Sequence, residues 1–278
     1  MFLPDGVYPA MVTPFLLNGT IDEAGVAKLL AWFRAAGCKG AVVAGTNGEG
    51  PSLSAIEKRD LVALAAGFDP GLQIILGIAT PSLTEAIWLT KQAAKSEAVA
   101  ALVMAPFYFR EASSEGYVGW FRAVLNSSPL PVLLYNFPQR CGFSFDIDLL
   151  AGLADHPNFA GLKDSSGVEA NLGAFKAALS DKKLFVGNEL LLMKALEEGW
   201  NGTISGAANV IPRWLSQIVA DANAVKFDLV VPTIEVIRSH PQPATNKANL
   251  AELGVIDHDF VRLPLLGASS VALPLGEC

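Results

Sequence analysis

Residues 159–163 read Phe-Ala-Gly-Leu-Lys, an apolar run that ends in a lysine. The run is apolar on both faces, as the strands of a buried parallel sheet are. Seven other short runs have the same character. In chain order the full set is Val7–Val12, Gly40–Ala44, Gln73–Leu76, Ala100–Met104, Val132–Tyr135, Phe159–Lys163, Leu184–Gly187 and Gly202–Ser205. The pattern predicts eight strands.

Longer amphipathic stretches separate these runs, and two of them begin with a clear helix-start signal. Ser54-Ala-Ile-Glu57 and Ser82-Leu-Thr-Glu85 each read as a capping box, in which serine and glutamate satisfy free backbone N–H groups. Further helices are expected at Asp22–Ala36, Ser114–Asn126, Ile147–Ala154, Ala170–Leu179 and Leu190–Glu198. Eight strands that alternate with helices predict an α/β fold, the (β/α)8 TIM barrel.

A doubly wound open sheet is the rival fold, because it shows the same alternation. The strand count and the absence of a G-x-G-x-x-G motif after the first strand favour the barrel. Past the eighth strand the chain continues with helical stretches at Pro212–Ala222, Asp228–Ser239 and Asn246–Leu253. We therefore expect a single barrel domain over residues 1–278, with C-terminal helices, about residues 223–278, as a small appendage.

Composition excludes several classes of protein. The 278 residues are 51% hydrophobic and 17% charged, which supplies a large core and is not typical of disordered or collagen-like chains. A net charge of −7 without a basic run argues against a general nucleic-acid binder. We find no signal peptide, and no apolar run approaches the ~20 residues of a membrane span. The expectation is a cytoplasmic protein that binds neither nucleic acid nor a membrane.

The cysteines and histidines give no sign of a disulfide framework or a metal site. The cysteines are odd in number, far apart and outside any C-x-x-C motif: Cys38, Cys141 and Cys278. The histidines lack metal-ligand spacing: His156, His240 and His258. We assign no metal.

The lysine at the end of the sixth run is the clearest candidate for chemistry. Reactive groups of a TIM barrel lie at the carboxyl ends of its strands, and Lys163 closes a run that should be buried. Burial disfavours the ammonium form, and a free amine attacks a ketone to form an iminium. The alternative is a structural lysine paired with the neighbouring Asp164. Position alone leaves both explanations open.

Polar residues near the end of the fifth run extend this candidate site. Tyr135 ends that run, and a phenol near an amine can both donate and accept a proton. Arg140, five residues on, offers a planar fork for a carboxylate. A core tyrosine with its hydroxyl at the rim and a solvated loop arginine are the alternatives.

The glycine-rich loop Gly45-Thr-Asn-Gly-Glu-Gly50 follows the second run. It is not a P-loop, because no Lys-Ser/Thr follows its last glycine. Its exposed backbone N–H groups, together with Thr46 and Asn47, suit a small anion such as a carboxylate. A purely structural tight turn is the alternative.

Together these motifs resemble the dihydrodipicolinate synthase / N-acetylneuraminate lyase family, the pyruvate-handling class I aldolases. The resemblance covers nearly the whole chain. It rests on motifs that occur in the family's order: Gly6-Val-Tyr-Pro-Ala-Met-Val-Thr-Pro-Phe15, Gly45-Thr-Asn-Gly-Glu49, Tyr135-Asn-Phe-Pro138, Gly161-Leu-Lys-Asp164 and Arg262-Leu-Pro-Leu265. Each motif alone is weak, and their order makes the resemblance specific.

The resemblance implies a Schiff-base enzyme that needs no metal or organic cofactor. Lys163 would form the Schiff base with pyruvate or another 2-oxo acid, and Tyr135 would relay protons to the iminium and the aldehyde oxygen. Thr46 would lie between Tyr135 and Tyr108 in a hydrogen-bonded relay. Tyr108 matches a tyrosine that the family inserts from a neighbouring subunit, which implies a homodimer or homotetramer.

The resemblance also assigns the substrate-binding residues. Thr46 and Asn47 would bind the carboxylate of the 2-oxo acid, and Gly187 and Ile204 would line the pocket with backbone atoms. Arg140 lies where the synthase branch places an arginine for the carboxylate of aspartate semialdehyde. We therefore expect that aldehyde as the favoured acceptor.

Several departures from the family pattern keep alternatives open. Asn47 replaces a second hydroxyl residue of the glycine-rich loop, and Asn188-Glu189 replaces the usual Asp-Asp. The alternatives are an aldolase for 2-oxo-3-deoxy sugar acids or 4-hydroxy-2-oxoglutarate, and a barrel that binds a 2-oxo acid without catalysis. Phe107 replaces a tyrosine associated with feedback by lysine, so we expect no lysine inhibition.

Overall fold

The structure is a computed structural model and describes residues 3–68 and 71–274. Within these residues eight parallel strands form one sheet: β1 (Gly6–Pro9), β2 (Gly40–Val43), β3 (Gln73–Ile78), β4 (Ala100–Met104), β5 (Val132–Asn136), β6 (Phe159–Asp164), β7 (Lys183–Val186) and β8 (Gly202–Ser205). Neighbours in sequence pair from β2 to β8, and β8 pairs with β1. A parallel bridge between Ala10 and Val42 joins β1 to β2, so the sheet closes into a barrel.

Helices alternate with the strands, so the predicted TIM barrel is confirmed. They are α1 (Glu23–Ala35), α2 (Ala55–Phe68), α3 (Leu83–Lys95), α4 (Ser114–Ser127), α5 (Pro138–Cys141), α6 (Ile147–Ala154), α7 (Ala170–Ala178), α8 (Leu192–Glu197), α9 (Pro212–Asp221), α10 (Ala224–Ser239) and α11 (Ala244–Glu252). In the part of the chain that the structure describes, no helix combines the length and the apolar character that crossing a membrane requires.

The burial of the strands explains why the sequence shows them so clearly. β4 and β5 are buried at every residue, because other strands cover them inside the barrel and helices cover them outside. β1 differs most from its predicted bounds, since it ends at Pro9 rather than at Val12, and the bounds of several other strands differ by one or two residues. The N–H group of Val12 donates to the side chain of Asn209 instead of to a strand (3.0 Å).

The two predicted capping boxes differ in the structure. The first is complete: Ser54 Oγ accepts from the Glu57 N–H (3.2 Å), and Glu57 Oε2 accepts from the Ser54 N–H (2.9 Å). In the second, Ser82 Oγ accepts from the Glu85 N–H, but the Glu85 carboxylate accepts from Lys58 (3.1 Å) instead of closing the box. Lys58 is buried, so its ammonium needs this counter-ion.

The C-terminal part differs most from the expectation. α10 begins at Ala224 rather than at Asp228, because Asn223 caps it by accepting from the Lys226 N–H (2.9 Å). The predicted helix from Leu190 begins instead with a 3-10 turn, Glu189–Leu191. After Glu252 the described residues contain no helix or strand, so the helical appendage is smaller than residues 223–278. Cys278 lies outside the described residues, and the single-domain organisation stays a prediction.

The close packing of β6 against β7 predicts a strong effect of a single methyl group. A Cβ at Gly161 would lie 2.0 Å from the Lys183 carbonyl oxygen, and backbone cannot move away easily. We expect Gly161→Ala to lower the free energy of unfolding by about 2–3 kcal/mol. The measurement is urea denaturation of the purified variant.

The matched control for this substitution is Gly152→Ala in α6. A Cβ there meets nothing within 4 Å, and alanine favours the helix more than glycine does. The control should be neutral or stabilise by about 0.5–1 kcal/mol. Equal effects of the two substitutions would contradict the importance of this packing.

Candidate active site

A lysine and a tyrosine meet at the carboxyl ends of two neighbouring strands. Tyr135 of β5 and Lys163 of β6 are register partners in the sheet. Lys163 Nζ donates to Tyr135 Oη at 3.2 Å and lies 4.3 Å from the centre of the phenol ring. Both residues are buried, with 5% of the surface exposed for Lys163 and 4% for Tyr135. The register of two strands therefore places an amine and a phenol in direct contact.

Lys163 has no acidic partner among the described residues, so its explanation as a structural ion pair with Asp164 is wrong. The Asp164 carboxylate accepts from Asn136 Nδ2 (2.8 Å), the Ser166 N–H (3.0 Å) and Ser166 Oγ (2.8 Å). Successive residues of a strand point to opposite faces, which separates the two side chains. Among the described residues no carboxylate lies within ion-pair distance of Lys163. A lysine so buried without a counter-ion is uncommon in a purely structural role.

Space around the Lys163 side chain depends on a glycine. A Cβ at Gly187 would lie 2.9 Å from Lys163 Cε and 2.0 Å from Ser165 Oγ. Ser165 was not among the residues predicted from the sequence. The signal was present, because a residue two positions after Lys163 shares its face of the strand. Ser165 Oγ and Lys163 Cε both lie close to Gly187, which places a hydroxyl group near the lysine side chain.

The glycine-rich loop after β2 has a strained backbone. Ala44 and Glu49 both have left-handed φ angles, 55° and 54°, which are unfavourable for residues with a Cβ. A Cβ at Gly50 would lie 2.0 Å from the Ala44 carbonyl oxygen, so only glycine fits there. Such strain persists where surrounding contacts hold the backbone in place.

A buried ion pair supplies those contacts. Lys247 of α11 donates to Glu49 Oε1 and to the Phe260 carbonyl oxygen (2.8 Å), and its ammonium lies 4.2 Å from the centre of the Phe15 ring. Glu49 Oε2 accepts from the Arg262 N–H (2.9 Å). Burial lowers the pKa of the Lys247 amine to about 8, while the Glu49 carboxylate acts in the opposite direction. Lys247 could not be identified from the sequence, because its partner is 198 residues away in the chain.

Thr46 and Asn47 lie half-buried in this loop. Asn47 Oδ1 accepts from Asn246 Nδ2 at 3.3 Å. The Thr46 side chain makes no hydrogen bond within the described residues, so the expected relay from Tyr135 through Thr46 to Tyr108 is not formed in this chain. Tyr108 is 75% exposed, and its ring packs against Phe109.

The remaining expected residues occupy the rim and the wall of the barrel. Arg140 lies exposed in α5, a one-turn helix that was not predicted, with its guanidinium 5.9 Å from the Phe137 ring centre. Ile204 is fully buried in β8. Glu189 is engaged elsewhere, since its carboxylate accepts from Ser205 Oγ (2.7 Å) and Arg238 (2.9 Å).

Fold and site thus define a class of protein. It is a TIM barrel in which an amine, without an ion-pair partner among the described residues, contacts a phenol at adjacent strand ends. No group of three or more metal-ligating side chains occurs in residues 3–68 and 71–274. The sequence model of the dihydrodipicolinate synthetase family matches residues 3–273. The chain belongs to this family of class I, Schiff-base-forming lyases, as its motifs suggested.

Individual relatives agree with the family. The chain is 33% identical to the 4-hydroxy-tetrahydrodipicolinate synthase of Pseudoalteromonas atlantica over 270 residues, which is 94% of this chain and 92% of that protein. A dihydrodipicolinate synthase structure from Bacillus anthracis is 30% identical, with a TM-score of 0.91 over 97% of this chain and 94% of the other. A chloride-inhibited dihydrodipicolinate synthase of Acinetobacter baumannii, complexed with pyruvate, is 30% identical with a TM-score of 0.90 over 95% and 94%.

The Arg262-Leu-Pro-Leu265 motif connects the segment after α11 to the start of α2. Arg262 donates to Glu57 Oε2 (3.1 Å) and to the Gly19 carbonyl oxygen, and its guanidinium lies 4.5 Å from the centre of the Phe15 ring. The hydrogen bonds from Arg262 lower the pKa of the Glu57 carboxyl to about 2.

This pKa shift predicts a pH-dependent contribution to stability. The folded pKa of Glu57 lies below its unfolded value of about 4.3, so the contribution is present above pH ~4.3 and is lost as the pH falls toward 2. The Glu57 side chain is 32% exposed, so screening by water limits it to about 1 kcal/mol. We expect Glu57→Gln to lower the free energy of unfolding by about that amount at pH 7, and by progressively less at pH 4 and 3.

Urea denaturation at these pH values measures the effect. Glu111→Gln, at an exposed glutamate, is the control and should leave the free energy of unfolding within about 0.5 kcal/mol. A Glu57→Gln effect that is the same at every pH would show that the carboxylate charge is not its cause.

Proposed function

We propose that this protein is a 4-hydroxy-tetrahydrodipicolinate synthase that joins pyruvate to aspartate semialdehyde through a Schiff base on Lys163. The observation that carries the proposal is the 3.2 Å contact between the buried amine of Lys163 and the phenol of Tyr135, with no carboxylate of the described residues in ion-pair distance of the amine. The names of the relatives support the same reaction. The general proposal is that the protein joins a 2-oxo acid to an aldehyde. The specific proposal is that the aldehyde is aspartate semialdehyde.

The geometry suits a stepwise reaction. In this mechanism the free amine of Lys163 adds to the C2 carbonyl of pyruvate, and uptake of one proton with loss of water gives a protonated imine. The imine acidifies the C3 methyl group, which loses a proton toward Tyr135 and leaves an enamine. The enamine carbon attacks the aldehyde carbon, and Tyr135 passes a proton to the new alkoxide. The amino group of the joined aspartate semialdehyde then adds to C2 and displaces Lys163, which closes the ring of 4-hydroxy-tetrahydrodipicolinate. With an acceptor that lacks an amino group water would add instead, and the reverse sequence would cleave a hydroxy-oxo acid.

In this proposal the glycine-rich loop holds the carboxylate of pyruvate. Thr46 and Asn47 supply hydrogen-bond donors, and backbone atoms of Gly187 and Ile204 line the pocket. Fixing the carboxylate orients the C2 carbonyl toward the Lys163 amine, which converts a bimolecular addition into an intramolecular one. The buried ion pair between Glu49 and Lys247 keeps the loop in place for this task.

We also propose that Tyr108 acts across a subunit interface of a homodimer or homotetramer. The exposed, edge-to-face pair of Tyr108 and Phe109 supports this, because two large aromatic side chains in water favour a protein partner. Arg140, exposed at the same carboxyl end of the barrel, would bind the carboxylate of the acceptor.

Borohydride trapping tests the Schiff base. Reduction in the presence of pyruvate should attach one pyruvate-derived group to Lys163, identified by peptide mass spectrometry. Lys163→Arg keeps a nitrogen-bearing side chain of similar length but cannot form an imine, so it should abolish the adduct and the turnover. Tyr135→Phe should still form the adduct while kcat falls by about 10²–10⁴-fold.

Lys58→Arg is the matched control, because Lys58 is another buried lysine but is paired with Glu85. This variant should form the Lys163 adduct as the wild type does. An adduct on any other lysine would refute the mechanism, and no adduct at all would favour the non-catalytic alternative.

Arg140→Ala tests the acceptor. Loss of a charge-assisted hydrogen bond should raise the KM for aspartate semialdehyde by about 10–100-fold and leave the KM for pyruvate unchanged. Arg122→Ala, at an exposed arginine that donates to the Gly152 carbonyl oxygen on the outer helices, should change neither value. Unchanged kinetics in Arg140→Ala would instead favour 2-oxo-3-deoxy sugar acids or 4-hydroxy-2-oxoglutarate as substrates.

A further inference from the structure

The first turn of α11 is polar and yet buried. Thr245, Asn246 and Lys247 all have 0% of their surface exposed. Lys247 is explained by its ion pair with Glu49. Asn246 is not explained by packing, because its Oδ1 is buried without a hydrogen-bond partner. A buried polar side chain with an unpartnered atom calls for a functional reason.

The Asn246 amide has a fixed orientation. Its Nδ2 donates to the Gly206 carbonyl oxygen at 3.2 Å and to Asn47 Oδ1 at 3.3 Å. The Gly206 carbonyl can only accept, so it selects the N–H side of the amide. The opposite orientation would place Asn246 Oδ1 against two acceptor oxygens. The unpartnered Oδ1 is therefore the consequence of the direction in which this amide has to donate.

This orientation determines the orientation of Asn47. Because Asn47 Oδ1 accepts from Asn246, Asn47 Nδ2 is the atom that remains to bind something else. It has no hydrogen-bond partner within the described residues, and it lies beside Gly206, where a Cβ would be 2.8 Å from it. A free N–H group suits a carboxylate oxygen, whereas the Oδ1 atom in its place would repel one.

We propose that Asn246 is a positioning residue that holds the Asn47 amide with its N–H group toward the carboxylate of the 2-oxo acid. Asn246 does not touch the substrate and acts through Asn47. The inference rests on the proposed function and adds the contact that determines which atom of the Asn47 amide faces the substrate. The Gly206 carbonyl oxygen determines the orientation of the Asn246 amide, and Asn246 in turn determines the orientation of the Asn47 amide. Asn47 then has one N–H group left to donate to an anion.

The test is the pyruvate concentration that gives half-maximal borohydride trapping on Lys163, which requires no acceptor. Asn246→Leu keeps a similar volume and removes both the donor and the unpartnered oxygen. We expect the half-maximal concentration and the KM for pyruvate to rise about tenfold, and kcat to change much less. The thermal unfolding midpoint should stay the same or rise, which a merely structural residue would not do.

A double-mutant cycle separates positioning from packing. A threonine hydroxyl rotates freely and donates without a fixed amide, so Asn246→Leu added to Asn47→Thr should leave the half-maximal concentration of Asn47→Thr unchanged. A further tenfold rise in the double variant would overturn the proposal. If Asn246→Leu does not fold, Asn246→Asp serves in its place, since its acceptor oxygens turn the Asn47 amide around and should also weaken pyruvate binding.

The outcomes distinguish this inference from the proposed function. If the wild type forms no adduct on Lys163, the proposed function fails. If the wild type forms the adduct and Asn246→Leu needs the same pyruvate concentration, the proposed function stands and the role of Asn246 is refuted.

Discussion

A buried amine that finds no counter-ion among residues 3–68 and 71–274 is the constraint on which the rest of the candidate site depends. Lys163 reaches this state because alternation along β6 turns Asp164 to the opposite face, where Asn136 and Ser166 satisfy its carboxylate. The register of β5 then supplies Tyr135 as the hydrogen-bond partner of the amine. Gly187 leaves room for the lysine side chain. β5, β6 and the residue after β7 therefore keep this nitrogen beside a phenol and, in the part of the chain that the structure describes, away from any carboxylate.

The glycine-rich loop after β2 differs from the lysine, since the loop is held by an ion pair with no exposure to water. A buried pair between Glu49 and Lys247 gains little net stability, because both charges lose their hydration. Its advantage is geometric. Glu49 has a strained, left-handed backbone, and fixed contacts to its carboxylate keep the preceding residues, Thr46 and Asn47, in one arrangement. The candidate site thus combines the Lys163 amine, which has no ion-pair partner among the described residues, with a glycine-rich loop whose Glu49 is held by a buried ion pair.

Local pattern in the sequence was enough to predict the barrel and its lysine, but not the contacts between distant residues. The strands were visible because a barrel buries both of their faces, and Lys163 was visible because a charge ended such a run. Lys247 lies 198 residues from Glu49 in the chain, and Asn246 lies 199 residues from Asn47. The periodicity of a sequence cannot predict contacts between residues so far apart. The second capping box failed for a related reason, since Glu85 binds Lys58 of another helix. Ser165 could have been found from alternation alone.

The contacts of the loop also have a consequence for biosynthesis. Lys247 and Arg262 come after all eight strands in the chain, yet they hold Glu49, which precedes six of them. While the ribosome still covers Lys247 and Arg262, all eight strands have been synthesised but Glu49 lacks these two partners. The loop after β2 therefore gains these contacts only once Arg262 has left the ribosome, later than the strands that form the barrel.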